Sequence, residues 1–362
     1  MLMIFIFPYI QYKLDLLKSK PLKGAIVPLS MPGFNFPEWF NGSFQENTEK
    51  YLNENFGGRN SFVRLNNQIL FSLFNKAKAK GVIVGKDEYL YESGYIDAYY
   101  GNDYAGDAHI DKKINKMIFL RDTFAKMNKS IVFVFSPSKA RYFPQYIPDR
   151  YQKTNTTSNY TEYTRKLKLK NVDFIDINAY FGHIRDTSKF LLFPKLGIHW
   201  SLYGAVLAQD SILKYMEAIT SKDLPDMHWK VEGPYRATEA DYDLADGMNL
   251  MYRVRGPSMG YPTVRFDENT PKSDLRLLSV SDSFYWFFLG FHMADQFKAN
   301  HYWYYNNEVF PSSEPNKSTY VKDLDLKSEI EKHDIFLIMS SEQALSKYGF
   351  GFIDEAYELY HH

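Results

Sequence analysis

Cysteine is absent from this chain of 362 residues, which excludes disulfide bonds, thiol catalysis and cysteine-ligated metal centres. Many exported bacterial proteins also lack cysteine, so its absence leaves the redox compartment open. Neither sign of charge is in excess, since 43 basic residues face 43 acidic ones and long runs of either sign are missing. The composition therefore gives no indication of an electrostatic surface for nucleic acid.

Long apolar runs are missing as well. The opening stretch MLMIFIFPYI has ten residues, whereas a membrane-spanning helix needs about 20. It also lacks a basic leader and an A-x-A-like cleavage site. Two interpretations remain, a buried segment or the end of a membrane anchor that begins upstream, and we expect the anchor. Pro, Gly and aromatic residues over 21–44 predict an extended linker. We therefore expect an N-terminal segment over 1–45 and one domain over 46–362.

The material for a core is ample, because 45% of the residues are apolar. A helical pattern follows from about 46 to 80 with a break at Gly57 and Gly58, and residues 221–270 resist assignment. Beyond residue 112, short apolar runs such as SIVFVF, VDFIDI, RLLSV and DIFLIM alternate with helical patterns. This alternation predicts an α/β fold with a parallel sheet that helices cover on both faces. Ligands of such sheets bind at the carboxyl ends of the strands.

A candidate nucleophile follows the strand RLLSV, in the turn Ser281-Asp282-Ser283-Phe284. A serine between a buried strand and a helix start exposes its hydroxyl, and the unpaired amides of the helix start suit an oxyanion. We therefore assign Ser283 as the nucleophile. Serine and aspartate are also preferred helix caps, so the turn alone is typical of capping and needs support from elsewhere in the chain.

That support comes from His199 in the stretch KLGIHWSLYGA, which also lies just before a helical pattern. Ser201 is placed to cap that helix. An imidazole at this position can reach a serine at a strand end, although a lone histidine beside tryptophan usually packs in a core. His199 is the candidate general base.

Four stretches in order resemble the SGNH-hydrolase-like proteins of the AlgJ and AlgX type, which take part in O-acetylation of alginate and other exopolysaccharides. They are GKDEYLY (85–91), SPSKARYFP (136–144), HWSLYGA (199–205) and DSF (282–284), and segments 53–74 and 239–250 are similar too. The resemblance spans about residues 40–355. It implies an SGNH-hydrolase-like sheet, with Ser283 as nucleophile and His199 as base.

The sequence departs from this family in two places. The family's D-x-H-W has Gly197 at the position of its orienting aspartate, and its G-D-S turn begins with Ser281. Losing an orienting acid lowers the rate by several orders of magnitude but leaves residual activity. Three explanations remain: another acid substitutes, a His–Ser dyad suffices, or the protein no longer catalyses. Asp282 is expected to brace the turn rather than orient the imidazole, and Asp176 is a second candidate acid.

The loop after SIVFVF should lie at the same edge of the sheet as these two segments. Lys139 and Ser136 in this loop, and Trp200 and Tyr285 beside the proposed site, are candidate substrate-binding residues, with Trp286 as a further aromatic; core packing is the alternative for the aromatics. The nine histidines are scattered without H-E-x-x-H or H-x-x-E-H, and a phosphate-binding G-x-x-x-x-G-K-[ST] loop is missing. We predict neither a metal nor a nucleotide cofactor.

The resemblance implies an O-acetyltransferase acting on an exported or cell-envelope polysaccharide through a Ser283 acyl-enzyme. It further implies a periplasmic or extracytoplasmic location, an N-terminal segment that tethers the protein to the inner membrane, and a membrane-bound acyltransferase as acetyl donor. Two alternatives remain, a carbohydrate esterase and a non-catalytic polysaccharide-binding or assembly component.

Overall fold

The computed structural model describes residues 2–14, 16, 18, 20–24, 29–154, 157–267 and 270–361, and for residues 2–5 it describes the backbone alone. The strands are β1 (Val82–Val84), β2 (Leu90–Glu92), β3 (Ser130–Ser136), β4 (Ile175–Asp176), β5 (Met227–Tyr235), β6 (Met259–Phe266), β7 (Ser273–Ser281), β8 (Phe297–Tyr304), β9 (Glu308–Glu314), β10 (Lys317–Tyr320) and β11 (Ile335–Ser341). The helices are α1 (Leu2–Leu14), α2 (Phe36–Asn41), α3 (Ser43–Asn55), α4 (Arg59–Phe74), α5 (Ser93–Tyr99), α6 (Asp107–Lys126), α7 (Lys139–Tyr142), α8 (Asn159–Leu169), α9 (Ile177–Ile184), α10 (Leu202–Thr220), α11 (Asp243–Gly247), α12 (Trp286–Gly290), α13 (Leu326–Lys332) and α14 (Phe352–Tyr360).

A seven-stranded sheet in the order β10-β9-β8-β7-β11-β3-β4 organises the fold. Its members from β8 to β4 run parallel, and β9 and β10 add an antiparallel edge. The inner strands β3 and β11 are nearly continuous apolar runs and are buried along almost their whole length, as strands covered on both faces require. The predicted α/β architecture with a mostly parallel sheet between helices is confirmed.

Helices cover both faces of this sheet. Alternate residues of β3, namely Ile131, Phe133 and Phe135, share one core cluster with apolar residues of α6, α8, α13 and α14. The intervening residues Val132 and Val134 are also buried, so the opposite face is covered as well. The carboxyl ends of β3, β11, β7 and β8 therefore meet at one edge, between two layers of helices.

Two compact units share the chain. The first comprises Met1–Val84 and Asp243–Arg255, and the second comprises Gly85–Tyr242 and Gly256–His362. In the first unit, the helical pattern predicted over 46–80 is present as α3 and α4, which are separated at Gly57 and Gly58. The stretch expected to be an extended linker contains α2, because the Asn35 side chain caps the amide of Glu38 at 2.9 Å.

The second unit contains the seven-stranded sheet, and several of its strands lie where the sequence patterns made no prediction. β8, β9 and β10 follow the nucleophile turn, and β5 and β6 pair antiparallel within the region that resisted assignment. Conversely, VDFIDI forms only the two-residue strand β4. Among the described residues, every helix is too short or too polar to cross a lipid bilayer.

Candidate active site

The nucleophile turn begins where β7 ends. Asp282 is the N-cap of a short 3₁₀ turn over Ser283–Tyr285, and its carboxylate accepts a hydrogen bond from the Phe284 amide at 3.2 Å. Because the turn bends sharply out of the sheet, Ser283 is half-buried while its neighbours Asp282 and Phe284 are buried. The local sequence thus turns the Ser283 hydroxyl toward solvent.

Both neighbouring strands fix this turn. From β11, the Ser341 amide donates to the second Asp282 carboxylate oxygen at 2.7 Å. From β8, the Tyr302 hydroxyl donates to the Asp282 carbonyl at 2.6 Å, and the Tyr305 amide that follows β8 donates to the Ser281 carbonyl at 2.8 Å. The position of Ser283 is therefore set by three strands of the central sheet.

His199 is held on a loop whose end is capped. Ser201 Oγ accepts from the Gly204 amide at 2.9 Å and donates to the Leu191 carbonyl at 2.7 Å, which joins the first turn of α10 to the preceding loop. A side chain at Gly204 would meet the Leu192 carbonyl at 2.7 Å, so this close approach needs glycine. Ser201 is confirmed as the cap of α10.

Lys139 supports the same loop from the other side. Its ammonium donates to the carbonyls of Lys195 and Gly197, both at 2.7 Å, and lies 5.5 Å from the centre of the Tyr91 ring. The side chain is only 2% exposed. The Lys139 charge therefore braces the segment immediately before His199 and does not face solvent.

The two candidate catalytic side chains meet. His199 Nε2 lies 2.8 Å from Ser283 Oγ, although the residues are 84 positions apart in the chain. The imidazole packs against the rings of Phe284 and Phe287, with centroid distances of 4.9 and 5.5 Å. Both His199 and Ser283 are half-buried, so a substrate can reach the pair from solvent. The contact has the geometry of a nucleophile with its general base.

Tyr305 is a residue of this site that the sequence patterns did not indicate. Burial and the nearby Asp282 carboxylate raise the pKa of Tyr305, and a hydrogen bond with the Ser283 side chain opposes part of that rise. The phenol therefore keeps its proton and can donate a hydrogen bond beside the nucleophile. Its position follows from β8, a strand parallel to β7 whose carboxyl end lies at the same edge.

The Asp282 carboxylate is buried and accepts hydrogen bonds from backbone amides. Burial raises its pKa, while hydrogen bonds from Ser341 and Phe284 and the nearby His199 lower it in part. The Phe284 amide already donates to this carboxylate. Within the turn, we therefore expect the Ser283 amide to donate to the oxyanion. Asp176, the second candidate acid, caps α9 at Ala179 and accepts from the Tyr160 hydroxyl, so its carboxylate serves the start of that helix.

The candidate substrate-binding residues are placed inside the protein. Ser136, Trp200 and Tyr285 are buried, as is Lys139. Trp200 packs against Phe284 and Phe288 with centroid distances of 5.0 and 5.2 Å. The loop of Ser136 is held by the Asn178 side chain, which bonds the Ser138 amide at 2.7 Å and the Ser136 carbonyl at 3.3 Å. None of these four side chains presents itself to a polysaccharide.

Trp286 is an aromatic side chain near the nucleophile that faces solvent. It is 37% exposed and lies three residues after Ser283. Its indole packs edge-on against Tyr302 and Phe310, with centroid distances of 5.0 and 4.7 Å. An indole fixed in this way at a protein surface suits stacking against a sugar ring.

The family can be assigned from the sequence of the domain that carries this site. A family model described as the SGNH hydrolase-like domain of the acetyltransferase AlgX matches residues 82–272, which is more than half of the chain. The chain belongs to the AlgX-type SGNH hydrolase-like family. The matched segment includes His199 and ends before β7, so the placement of Ser283 rests on the geometry described above.

Several solved structures are similar to this AlgX-type chain at low sequence identity. The O-acetyltransferase domain of Pseudomonas putida AlgJ has 17% identity and a TM-score of 0.48, with coverage of 74% of this chain and 92% of that one. Bacillus cereus PatB1 has 14% identity and a TM-score of 0.48, covering 75% and 99%. Pseudomonas aeruginosa AlgX has 12% identity and a TM-score of 0.47, covering 75% and 66%. Curated protein sequences gave no match to the chain.

Proposed function

We propose that this AlgX-type protein transfers acetyl groups to hydroxyl groups of a polysaccharide through an acyl-enzyme on Ser283. The observation that carries the proposal is the 2.8 Å separation of His199 Nε2 and Ser283 Oγ, on two loops that the sheet brings to one edge. The geometry therefore favours catalysis over a purely structural role.

The reaction proceeds in two balanced steps. His199 Nε2 takes the Ser283 proton as Oγ attacks the acetyl carbonyl carbon, and the imidazolium then returns the proton to the leaving group. A sugar hydroxyl next gives its proton to His199 and attacks the acetyl-serine, which transfers the acetyl group and restores the Ser283 hydroxyl. The Ser283 amide, with the Tyr305 phenol beside the nucleophile, is the donor set for the oxyanion of both tetrahedral intermediates.

The proposed mechanism depends on how the loop that carries His199 is held. Gly197 stands where the family places an orienting aspartate, and Asp282 and Asp176 are each engaged in bracing their own turns. Lys139 holds the carbonyls of the segment that leads into His199. The proposed reaction therefore uses His199 on a loop that Lys139 positions and Ser283 on a turn that Asp282 fixes.

The acceptor that we propose is an exported or cell-envelope polysaccharide, and the acetyl donor is a membrane-bound acyltransferase outside this chain. Membership of the AlgX family supports an acetyl-transfer role, and the exposed Trp286 ring offers a surface for a sugar. An extracytoplasmic location follows from this choice of acceptor. We propose that the apolar N-terminal segment tethers the protein to the membrane.

The test is an acetyl-transfer assay with the purified full chain. The donor is p-nitrophenyl acetate, the acceptors are uronic-acid and neutral oligosaccharides, and mass spectrometry measures acetylated sugar while an enzymatic assay measures free acetate. We expect Ser283→Ala and His199→Ala each to lower transfer by about 10³-fold or more, without changing the melting temperature. Ser318→Ala on the exposed strand β10 is the matched control and should retain wild-type transfer.

Each outcome assigns one of the three functions. Acetylated oligosaccharide that depends on Ser283 supports the transferase. Release of acetate that depends on Ser283, with all oligosaccharides unmodified, overturns transfer in favour of an esterase. Oligosaccharide binding with neither product overturns catalysis in favour of a binding component.

A further inference from the structure

A second cluster of chemically active side chains lies elsewhere in the second unit. His301 on β8, Glu329 on α13 and His333 at the end of that helix bring three ligand atoms within 4.8 Å of one another. His301 Nδ1 lies 3.0 Å from His333 Nε2 and 3.8 Å from Glu329 Oε2. The proposed acyl-transfer chemistry uses none of these groups.

The spacing is close to that of a tetrahedral metal centre. Ligand atoms about 2.05 Å from a tetrahedral Zn²⁺ lie about 3.3 Å from one another. Two of the three separations, 3.0 and 3.8 Å, bracket this value, and all three ligand atoms lie within 4.8 Å of one another. Two imidazoles and one carboxylate are also a ligand set that Zn²⁺ accepts, with water in the fourth position.

The outer contacts of His333 and Glu329 turn one ligand atom of each toward His301. His333 Nδ1 donates to the Glu329 carbonyl at 2.6 Å, so in the neutral ring the Nε2 lone pair faces His301. Metal-bound histidines almost always donate the other ring N–H to a carbonyl or carboxylate in this way. Lys332 binds Glu329 Oε1 at 2.8 Å, and the other oxygen, Oε2, faces His301.

The cluster is both supported and accessible. Glu329 and His333 are buried, whereas the His301 side chain is 38% exposed and gives an ion a path from solvent. His301 pairs with Leu278, five positions before Ser283, so the cluster lies roughly 15 Å along the strand direction from the nucleophile.

We propose that His301, Glu329 and His333 form a binding site for one divalent transition-metal ion, with Zn²⁺ as the best-matched ion. The ion fastens β8 to α13 and stabilises that region without entering the acyl-transfer reaction. Sequence motifs do not indicate this site, because one ligand comes from a strand and the other two come from a helix 28 to 32 residues later.

The experiment uses the full chain after removal of metals with EDTA. Isothermal titration with ZnCl₂ should show one ion per chain, and excess Zn²⁺ should raise the melting temperature by about 2–4 °C. Co²⁺ in place of Zn²⁺ should give the visible absorption bands of a tetrahedral site. His301→Ala and Glu329→Gln should each weaken Zn²⁺ binding at least about tenfold.

Two histidine controls and a folding control make the result decisive. His109→Ala removes an exposed histidine of α6, and His361→Ala removes one member of the terminal histidine pair; both should bind Zn²⁺ as the wild type does. Circular dichroism of metal-free His301→Ala should match that of the wild type. Absence of saturable binding, unchanged binding by folded His301→Ala, or loss of binding in His361→Ala would overturn the proposal.

Discussion

Adjacent residues at the nucleophile turn have different environments and different roles. Asp282 is buried and binds two backbone amides, whereas Ser283 is half-buried and contacts His199. The carboxylate therefore fixes the turn and the hydroxyl carries the proposed chemistry. The contrast explains why an acid beside the nucleophile is not the acid that orients the imidazole.

Lys139 is a positioning residue in this account, because its ammonium binds two carbonyls of the loop before His199. We expect Lys139→Met, which keeps the length of the side chain, to remove both bonds and loosen the imidazole. A misplacement of about 1 Å in a reacting group lowers rates by about 10²-fold, so we predict kcat lower by about 10–100-fold with KM nearly unchanged.

Lys86→Met is the matched control, because Lys86 forms a solvent-exposed ion pair with Asp149. It should leave both kcat and KM unchanged. A rise in KM with unchanged kcat in Lys139→Met would instead indicate that Lys139 binds substrate, contrary to the positioning role.

At the scale of single elements, one carboxylate joins two helices on the outer layer. Asp354 on α14 binds Lys113 of α6 and lies 3.0 Å from Lys116 Nζ on the same helix. Both lysines are buried, whereas the Asp354 side chain is 43% exposed. Burial alone would raise the pKa of Asp354, but the hydrogen bonds from the two lysines outweigh it and hold the pKa below the usual value.

We predict that Asp354→Asn lowers the free energy of unfolding at pH 7 by about 1–2 kcal/mol, an amount reduced by the exposure of the carboxylate. Because the folded pKa is depressed, this stabilisation is present above the unfolded pKa of about 3.9 and disappears as the pH falls through the folded value. Urea unfolding at several pH values checks the prediction.

Asp274→Asn is the control, since Asp274 forms a long, exposed pair with Lys222 at 3.4 Å. It should change stability by less than about 0.5 kcal/mol. A deficit of Asp354→Asn that persists undiminished at pH 3 would contradict the electrostatic explanation and indicate a packing defect.

The strands that the sequence predicted and the strands that it missed differ in their patterns of apolar residues. β3 and β11 are continuous apolar runs, which parallel central strands need. β8 carries Lys298, Asn300 and His301, so its apolar character is interrupted. β10 is the edge strand and β9 lies next to it, and most residues of these two strands are polar or exposed, so neither has the apolar pattern of a central strand.

At the scale of the whole molecule, the sequence predicted the sheet, the cap at Ser201 and the two loops that meet as His199 and Ser283. It left open whether Trp200 and Tyr285 bind substrate or pack in the core, and it did not predict that Ser136 and Lys139 would be buried, because position beside a reactive residue does not determine which way a side chain points. Burial depends on long-range packing between α10, α12 and the sheet, and short sequence motifs do not predict that packing.

The central claim is that Ser283 becomes acetylated with His199 as its base, and mass spectrometry tests it most directly. The full chain is incubated with p-nitrophenyl acetate, quenched with acid within seconds, digested and sequenced. We predict one acetyl group on the peptide that contains Ser283, and its absence in Ser283→Ala and His199→Ala. Acetylation of a different residue, or oligosaccharide acetylation that persists in Ser283→Ala, would contradict the account.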